Sequence, residues 1–448
     1  MDVLVVGAGP TGLTLACDLA RRGVTVRVID RAPEFPRGSR GKGLSPRSLE
    51  VFDDLGVIDR LLAAGTTHLP HRKYRGAEVV AEVDPEAGRV ATPGVPYPVG
   101  LLVPQWRVEQ ILRERLADFG VTVERGAELR TFTQDVGGVT ATVGETEIRA
   151  RYVVGCDGGH STVRRTLGLR LHGETPDIQL MAVGDVEVDG LGRDAWHQWF
   201  ADGGAVMLCP LPGTDAFQVQ ASHELAPDGT PLEPSLETFQ RTFDRVAGVP
   251  GVRLHDLTWR STYRVNVRMV DRLRVGRVFL AGDAAHVHPI AGGLGMNTGV
   301  QDAYNLGWKI GHVLAGEAGE PLLDTYDEER LPVASRVLDI TSERLDAVLA
   351  AIKESGGGVD AVSAPELTQL QLDYRWSRLS RNLTSHPDGL RAGDRAPMSG
   401  LSRGTHFQAY QVGNTQVLVR PDGYIGLIAD VNDTSAAADY LRSLSREE

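Results

Sequence analysis

The chain has 448 residues, 42% hydrophobic and 24% charged, which excludes wholesale disorder and a fibrous chain and gives enough length for two or three domains. Its 47 basic against 59 acidic side chains leave a net charge of −12, which repels phosphate backbones and anionic lipid, so neither nucleic acid nor a membrane is expected as a partner. Three cysteines, Cys17, Cys156 and Cys209, lie far apart and outside any ligand spacing, so neither a disulfide framework nor a metal site is expected.

The chain opens as strand, glycine turn, helix and strand: Val3 to Val6, Gly7 to Gly12, Leu13 to Arg22 with Gly23 as its cap, and Val24 to Asp30. A strand at the very start leaves no room for a secretory leader, and no apolar run reaches the roughly 18 residues of a membrane span, so a cytoplasmic location is expected. Gly7, Gly9 and Gly12 form G-x-G-x-x-G, and Asp30 follows Gly12 by eighteen positions at the end of the second strand. The glycines permit a tight turn and close approach to a pyrophosphate, the helix start offers unpaired N–H groups, and a carboxylate there accepts ribose hydroxyls. This predicts an ADP moiety and leaves NAD and FAD both open.

A helical segment is predicted within Gly41 to Leu62, then an irregular stretch through Gly100, a helix over Arg107 to Phe119, and short alternating strands over Val121 to Val154. From His172 to Tyr263 strands and turns dominate, with Trp196, Trp199, Phe200, Met207, Phe217 and Trp259 spread among them. Arg277 to Asp283 reads again as a buried strand ending in a glycine turn, and Thr298 to Leu314 as a helix, so the first domain resumes after an insertion. Ser335 to Lys353 has helical spacing. The last block, from Gly393, holds a strand at Gln416 to Val419, a turn at Pro421 to Gly423, a second strand and a terminal helix.

Two later segments narrow the cofactor: Cys156 to Arg164 (CDGGHSTVR), and Gly282 to His286 (GDAAH) followed by Pro289 to Asn297 (PIAGGLGMN). On these the chain resembles the flavoprotein aromatic hydroxylases, the group built like para-hydroxybenzoate hydroxylase, and within it the polyketide hydroxylase and rifampicin monooxygenase branch. The likeness runs from the first strand to about Arg336. It implies an α/β fold: a Rossmann-like FAD-binding domain of the glutathione reductase type (1–171 and 276–392), interrupted by a β-rich substrate domain (172–275). A small thioredoxin-like C-terminal domain (393–448) would follow, shortened, without a C-x-x-C pair, and with residues missing near the abrupt junction at Gly404 to Phe407.

The resemblance implies FAD as cofactor, NADPH or NADH as a transient cosubstrate, O2, and a small-molecule aromatic substrate, in a monomer or a homodimer. Asp283 would hold the ribityl chain, Arg40 and Gln105 the phosphates and ribityl region, Arg31 the adenosine and Thr11 the pyrophosphate. Asp157 inherits a structural and cofactor-orienting role. The segment Gly293, Leu294, Gly295, Met296 and Asn297 would meet the isoalloxazine, with Leu294 standing where many relatives carry glutamine.

In such enzymes hydride from NAD(P)H reduces FAD, O2 then gives a flavin C4a-hydroperoxide, and the substrate ring attacks its distal oxygen, here near Pro289 and Gly292. No side chain is then an obligatory nucleophile. Trp196, Trp199, Phe200, Met207, Phe217 and Tyr263 are candidate substrate contacts, core packing being the alternative for each. The absence of a second strand–glycine–helix fingerprint favours a hydroxylase over a two-domain flavin reductase. Baeyer–Villiger or antibiotic-inactivating oxidation on the same scaffold stays open, as does, more remotely, a non-catalytic binding protein on a flavin fold.

Overall fold

Alternating strands and helices at the two ends of the chain, with a run of strands between them, set the architecture. The computed structural model describes residues 1–174, 181–201, 204–263, 267–288, 293–353 and 365–445. The first part runs through β1 (Val3–Val6), α1 (Pro10–Arg21), β2 (Val26–Asp30), α2 (Pro46–Asp54), the hairpin of β3 (His71–Arg75) and β4 (Glu78–Val83), α3 (Gln105–Asp118), β5 (Val123–Arg125) and β6 (Tyr152–Gly155). Then come β7 (Met181–Asp189), β8 (Trp196–Ala201), β9 (Gly204–Pro210), β10 (Ala216–Ser222), α4 (Leu236–Val246) and β11 (Arg253–Tyr263). The rest holds β12 (Arg274–Val275), β13 (Val278–Leu280), α5 (Leu294–Ala315), α6 (Pro321–Lys353), β14 (Gln408–Val412), β15 (Thr415–Val419), β16 (Ile425–Asp430) and α7 (Ala436–Leu444).

One sheet has the order β12-β13-β6-β1-β2-β5. Its centre is parallel, with Val5 opposite both Val28 and Val154. The four residues of β1 are all buried, as a strand covered on both faces requires. The chain leaves this sheet after β6 and returns to it at β13, which pairs in parallel with β6. Helix α1 starts at Pro10, three residues before the predicted Leu13, because proline pre-sets the backbone at a first helical position.

The second sheet has the order β11-β7-β10-β9-β8-β3-β4. The hairpin β3–β4 corrects the irregular stretch expected before Gly100: it extends the sheet through parallel pairing of His71 with Trp196. It was hidden because β3 buries polar His71 and Lys73, while β4 is a mostly exposed edge strand whose alternating Val79, Ala81 and Val83 are not buried as a core face would be. Helix α4 is a second addition within the β-rich region, capped reciprocally by Ser235 and Thr238 and packing Phe239 and Phe243 onto one sheet face. Helix α6 also begins earlier than predicted, at Pro321, and runs through Pro332.

Strands β14 to β16, with Arg381–Asn382 at one edge, form a third sheet of four strands. The turn between β15 and β16 is held by helix side chains: Trp308 Nε1 donates to Asp422 Oδ2 at 3.0 Å, and Arg420 Nη2 donates to Glu329 Oε2 at 2.9 Å. Tyr440 and Leu444 of α7 join the same apolar core as β1 and α1.

Candidate active site

The glycine turn packs by close approach. Gly7 has φ 105, and a Cβ there would stand 2.3 Å from the Cys156 carbonyl oxygen, while one at Gly12 would stand 2.0 Å from the Gly7 carbonyl. Gly9 differs from both: a Cβ there meets nothing within 4 Å, and as N-cap it gives α1 no side-chain partner. The unpaired first amides and the positive end of α1 therefore face open space. Asp30 braces this turn, one oxygen accepting Ala8 N and the other Ala32 N, each at 2.8 Å. Arg31, beside it, is exposed.

Thr11 is the joint between three segments. A Cβ at Gly282 or at Gly299 would approach its hydroxyl oxygen to 2.6 or 2.3 Å, so the α1 start, the turn after β13 and the first turns of α5 share one place. Asp283, in that turn, presents an exposed side chain. Although that side chain is open to solvent, the protein crowded around the turn pushes its carboxyl above the ordinary range, with His286 and Arg40 pulling the other way. Arg40 is exposed on the facing loop.

That loop is fixed at both ends. Gly41 N donates to Gln105 Oε1 at 3.0 Å, and Gln105 Nε2 donates to Glu109 Oε1 at 2.9 Å. Burial pushes the Glu109 carboxyl up to about 7. On the other side Asn297 accepts Ser45 N at 2.8 Å and donates to the Gly43 carbonyl at 3.1 Å. Gly293, the left-handed N-cap of α5 with φ 64, and the Met296 side chain beside Gly41 complete the contact. Leu294 is buried among Val333, Val337, Leu372, Tyr374 and Tyr424. Gly295 lies against the His288 ring.

Asp157 spends both oxygens inside its own turn, accepting Ser161 Oγ at 2.5 Å and Thr162 N at 2.7 Å. Arg164, starting from the same turn, reaches the Ala284 carbonyl at 2.9 Å and so ties the two cofactor-side segments together. Arg47 is buried, donating to Glu50 at 2.7 Å and to the Asp422 carbonyl at 2.6 Å, which leaves it no role at a phosphate. Pro289 and Gly292 lie outside the described residues, as does the side chain of Tyr263.

The second sheet turns two unlike faces outward. Opposed residues share a face, so Trp259, Asp185, Gln218 and Cys209 form one row, and Val183, Gln220, Met207 and Gln198 the next. Trp196 and half-buried Phe200 lie on this side too, which faces the loop around Ser39: Asp185 Oδ2 accepts Ser39 N at 2.8 Å. Burial pushes the Asp185 carboxyl up to about 6, against the Ser39 hydrogen bonds and the Lys42 charge. Trp199 and Phe217 sit on the opposite side, in the core with Phe239 and Phe243, so the structure separates them from Trp196 and Met207. A cavity of about 210 Å³ opens between the loop, α5 and this sheet, lined by Leu44, His71, Leu102, Trp196, Leu294 and Asn297 among others.

Sequence reasoning missed the brace behind the turn after β13. Asp302 accepts Gly282 N at 3.0 Å, and His286 Nδ1 lies 2.8 Å from His288 Nε2. Only the GDAAH segment pointed there, since nothing local links it to a carboxylate in the next helix. Among the described residues no helix is long and apolar enough to cross a membrane.

Residues 1–341 match the family described as FAD binding domain. The chain is similar to a flavin-dependent monooxygenase of Mycobacteroides abscessus, 44% identical over 98% of this chain and 99% of the relative. It is 40% identical to a rifampicin monooxygenase of Streptomyces venezuelae over 77% of this chain and 71% of that one. Its mixed α/β fold matches the crystal structure of a ternary complex of aklavinone-11 hydroxylase with FAD and aklavinone, with a TM-score of 0.79, 26% identity and coverage of 99% of this chain and 98% of the other.

Proposed function

The chain belongs to the FAD binding domain family, and from that premise we propose that it is a single-component FAD-dependent monooxygenase that hydroxylates a large aromatic or polyketide-type substrate with NADPH or NADH and O2. The observation that carries this reading is the convergence at Thr11, where the open, uncapped start of α1, the Asp283 turn and the first turns of α5 meet, α5 lining a cavity with its first residues, Leu294 and Asn297. A flavin nucleotide fits this set of groups. Open space at Gly9 suits a pyrophosphate on the α1 amides, and exposed Asp283 offers carboxylate acceptors to a polyol chain. When bound, FAD supplies hydride acceptance from NAD(P)H and transfer of one oxygen atom from O2.

The chain's own residues bind, orient and shield. Asp30 and Asp157 hold the turns that approach the cofactor, and Gln105 and Asn297 clamp the 41–45 loop at the cavity edge. The α5 start places positive potential at the cavity, where negative charge on a reduced ring would gather. The apolar lining from Leu44, Leu102 and Leu294 limits water there. In this reading residues 172–275 serve the substrate and 276–392 return to the cofactor. Residues 393–448 form a shortened thioredoxin-like block with a structural role, since all three cysteines lie before it.

The test is uptake of FAD by the purified protein, followed by NADPH and NADH consumption with and without a panel of aromatic polyketides, using labelled O2. Stimulated consumption with one labelled oxygen in a hydroxylated product is expected. A protein that stays colourless with added FAD would sink the reading, and a lactone product would move it to Baeyer–Villiger oxygenation.

A further inference from the structure

The cavity beside α5 is apolar at one end and polar at the other. One wall is a ladder of three short segments: Gly43–Leu44 pairs antiparallel with Leu101–Leu102, and Leu102 in turn exchanges backbone hydrogen bonds with Thr66. Ser45, at the near edge of this ladder, is bonded to Asn297 of α5, and Leu44, Leu101, Leu102 and Leu294 make that part of the cavity apolar. Thr66 and Thr67 line the far edge, two strand spacings or about 10 Å from Gly43. The turn after β4 is tied beside them: Asp84 Oδ2 lies 3.1 Å from His68 Nδ1, and Asp84 Oδ1 accepts Glu86 N at 2.9 Å. Glu86 and Arg89 of that turn line the cavity at this end.

Arg89 Nη1 donates to Glu86 Oε2 at 2.8 Å, and the two side chains are 25% and 24% exposed. A pair this open adds little to stability, so the fold alone does not account for it. Among the described residues no other partner takes the remaining side-chain N–H groups of Arg89, or Glu86 Oε1. Burial pushes the Glu86 carboxyl above its ordinary range, with Arg89 opposing, so the pair is partly withdrawn from water. It presents guanidinium donors and a carboxylate acceptor side by side, with no net charge. An anion at this place gains from Arg89 but is repelled by Glu86 and Asp84. A neutral group that accepts and donates at once satisfies both partners.

We infer that Arg89 and Glu86 form the recognition subsite for a neutral group that both accepts and donates hydrogen bonds, a carboxamide or a polyol, carried by the substrate at the end remote from the ring that lies against α5. This rests on the monooxygenase reading above. It narrows the substrate class to aromatic compounds with a polar, uncharged appendage, and it makes Arg89 and Glu86 specificity residues without a part in oxygen transfer.

The test uses the FAD-loaded protein and three anthraquinones that differ at one ring position, a carboxamide, a methyl compound and a carboxylate, titrated by quenching of protein fluorescence at a pH where the carboxylate is ionised. The wild type is expected to bind the carboxamide at least about tenfold tighter than either of the others. Arg89→Met should bring the carboxamide down to the level of the methyl compound and leave the affinity of the methyl compound unchanged. Glu86→Gln should strengthen binding of the carboxylate about tenfold, because the anion then meets Arg89 without a facing negative charge. A wild type that binds the methyl compound or the carboxylate as well as the carboxamide, or binds none of the three, would overturn the inference. So would a carboxamide preference that survives in Arg89→Met, or carboxylate binding that Glu86→Gln leaves unmoved. If the variants do not fold, the wild-type series decides alone by the same criteria. Failure of the monooxygenase reading shows separately, as a wild type that takes up no FAD.

Discussion

Asp302 Oδ2 lies 2.6 Å from His286 Nε2 while its other oxygen accepts Arg330 Nε at 2.7 Å, and all three side chains are buried. Arg330 also donates to Tyr374 at 2.8 Å, so one carboxylate links the turn beside Asp283, α5 and α6. Burial opposes ionisation of Asp302, but Arg330 and His286 outweigh it and hold the carboxyl well below its ordinary range. A carboxyl depressed in the folded state contributes stability above its unfolded pKa and loses it as pH falls toward the folded value. Asp302→Asn should therefore cost about 3–5 kcal/mol at neutral pH, by leaving Arg330 buried without its counter-ion. The gap from wild type, read as urea midpoints across pH, should shrink on acidification below about pH 4. Equal midpoints at pH 7 would refute this role.

Gly9 and Gly7 separate cofactor contact from folding. At Gly9 φ is −75 and a Cβ meets nothing within 4 Å, so Gly9→Val should change the stability of the FAD-free protein by no more than about 1 kcal/mol, an N-cap effect. The added methyls would fill the space proposed for the pyrophosphate, and FAD affinity should fall at least about tenfold, the equivalent of one lost charged hydrogen bond. Gly7→Ala meets both a positive φ and a backbone oxygen 2.3 Å away, and it should destabilise the FAD-free protein itself. Thermal melts without FAD and flavin-fluorescence titrations distinguish the two. Wild-type FAD binding by Gly9→Val would remove the pyrophosphate from this turn.

These contrasts mark what was legible in the sequence. The β1–α1–β2 unit was legible because its signals are local: buried valines, three glycines and a terminal acid within thirty residues. The turns at Asp157 and Asp283 were legible as motifs. Their chemistry was legible only in part, since the hydrogen bonds of Asp157 stay within its own turn. Alternation along a strand separates Trp196 from Trp199, but it does not say which face meets α4 and which meets the Ser39 loop. Asp302 was invisible for a different reason. Its partner, Arg330, comes from another element, and charged residues inside helices or loops are usually solvated. Arg47 shows the same limit: a basic residue next to the 41–45 loop, it is taken up by the Asp422 carbonyl, 375 positions away.

Arg420 tests whether the terminal block is part of the core. It is fully buried, donates to both Glu329 oxygens and to Asp422, and shares Glu329 with Lys309, whose Nζ donates at 2.7 Å. Burial pushes the Lys309 ammonium down to about 8, with Glu329 opposing, so this cluster has little charge to spare. Arg420→Met should leave Glu329 and Asp422 underpaired and cost about 3–5 kcal/mol. It should also loosen the turn that holds Trp308 Nε1, seen as a red shift of tryptophan emission and earlier proteolytic cleavage of the terminal block. Adding Asp422→Asn should recover part of the loss, because it removes the buried carboxylate that Arg420 pairs while Glu329 keeps its partner Lys309. A double variant no more stable than Arg420→Met would show that lost packing, and not the unpaired carboxylate, is what the block depends on.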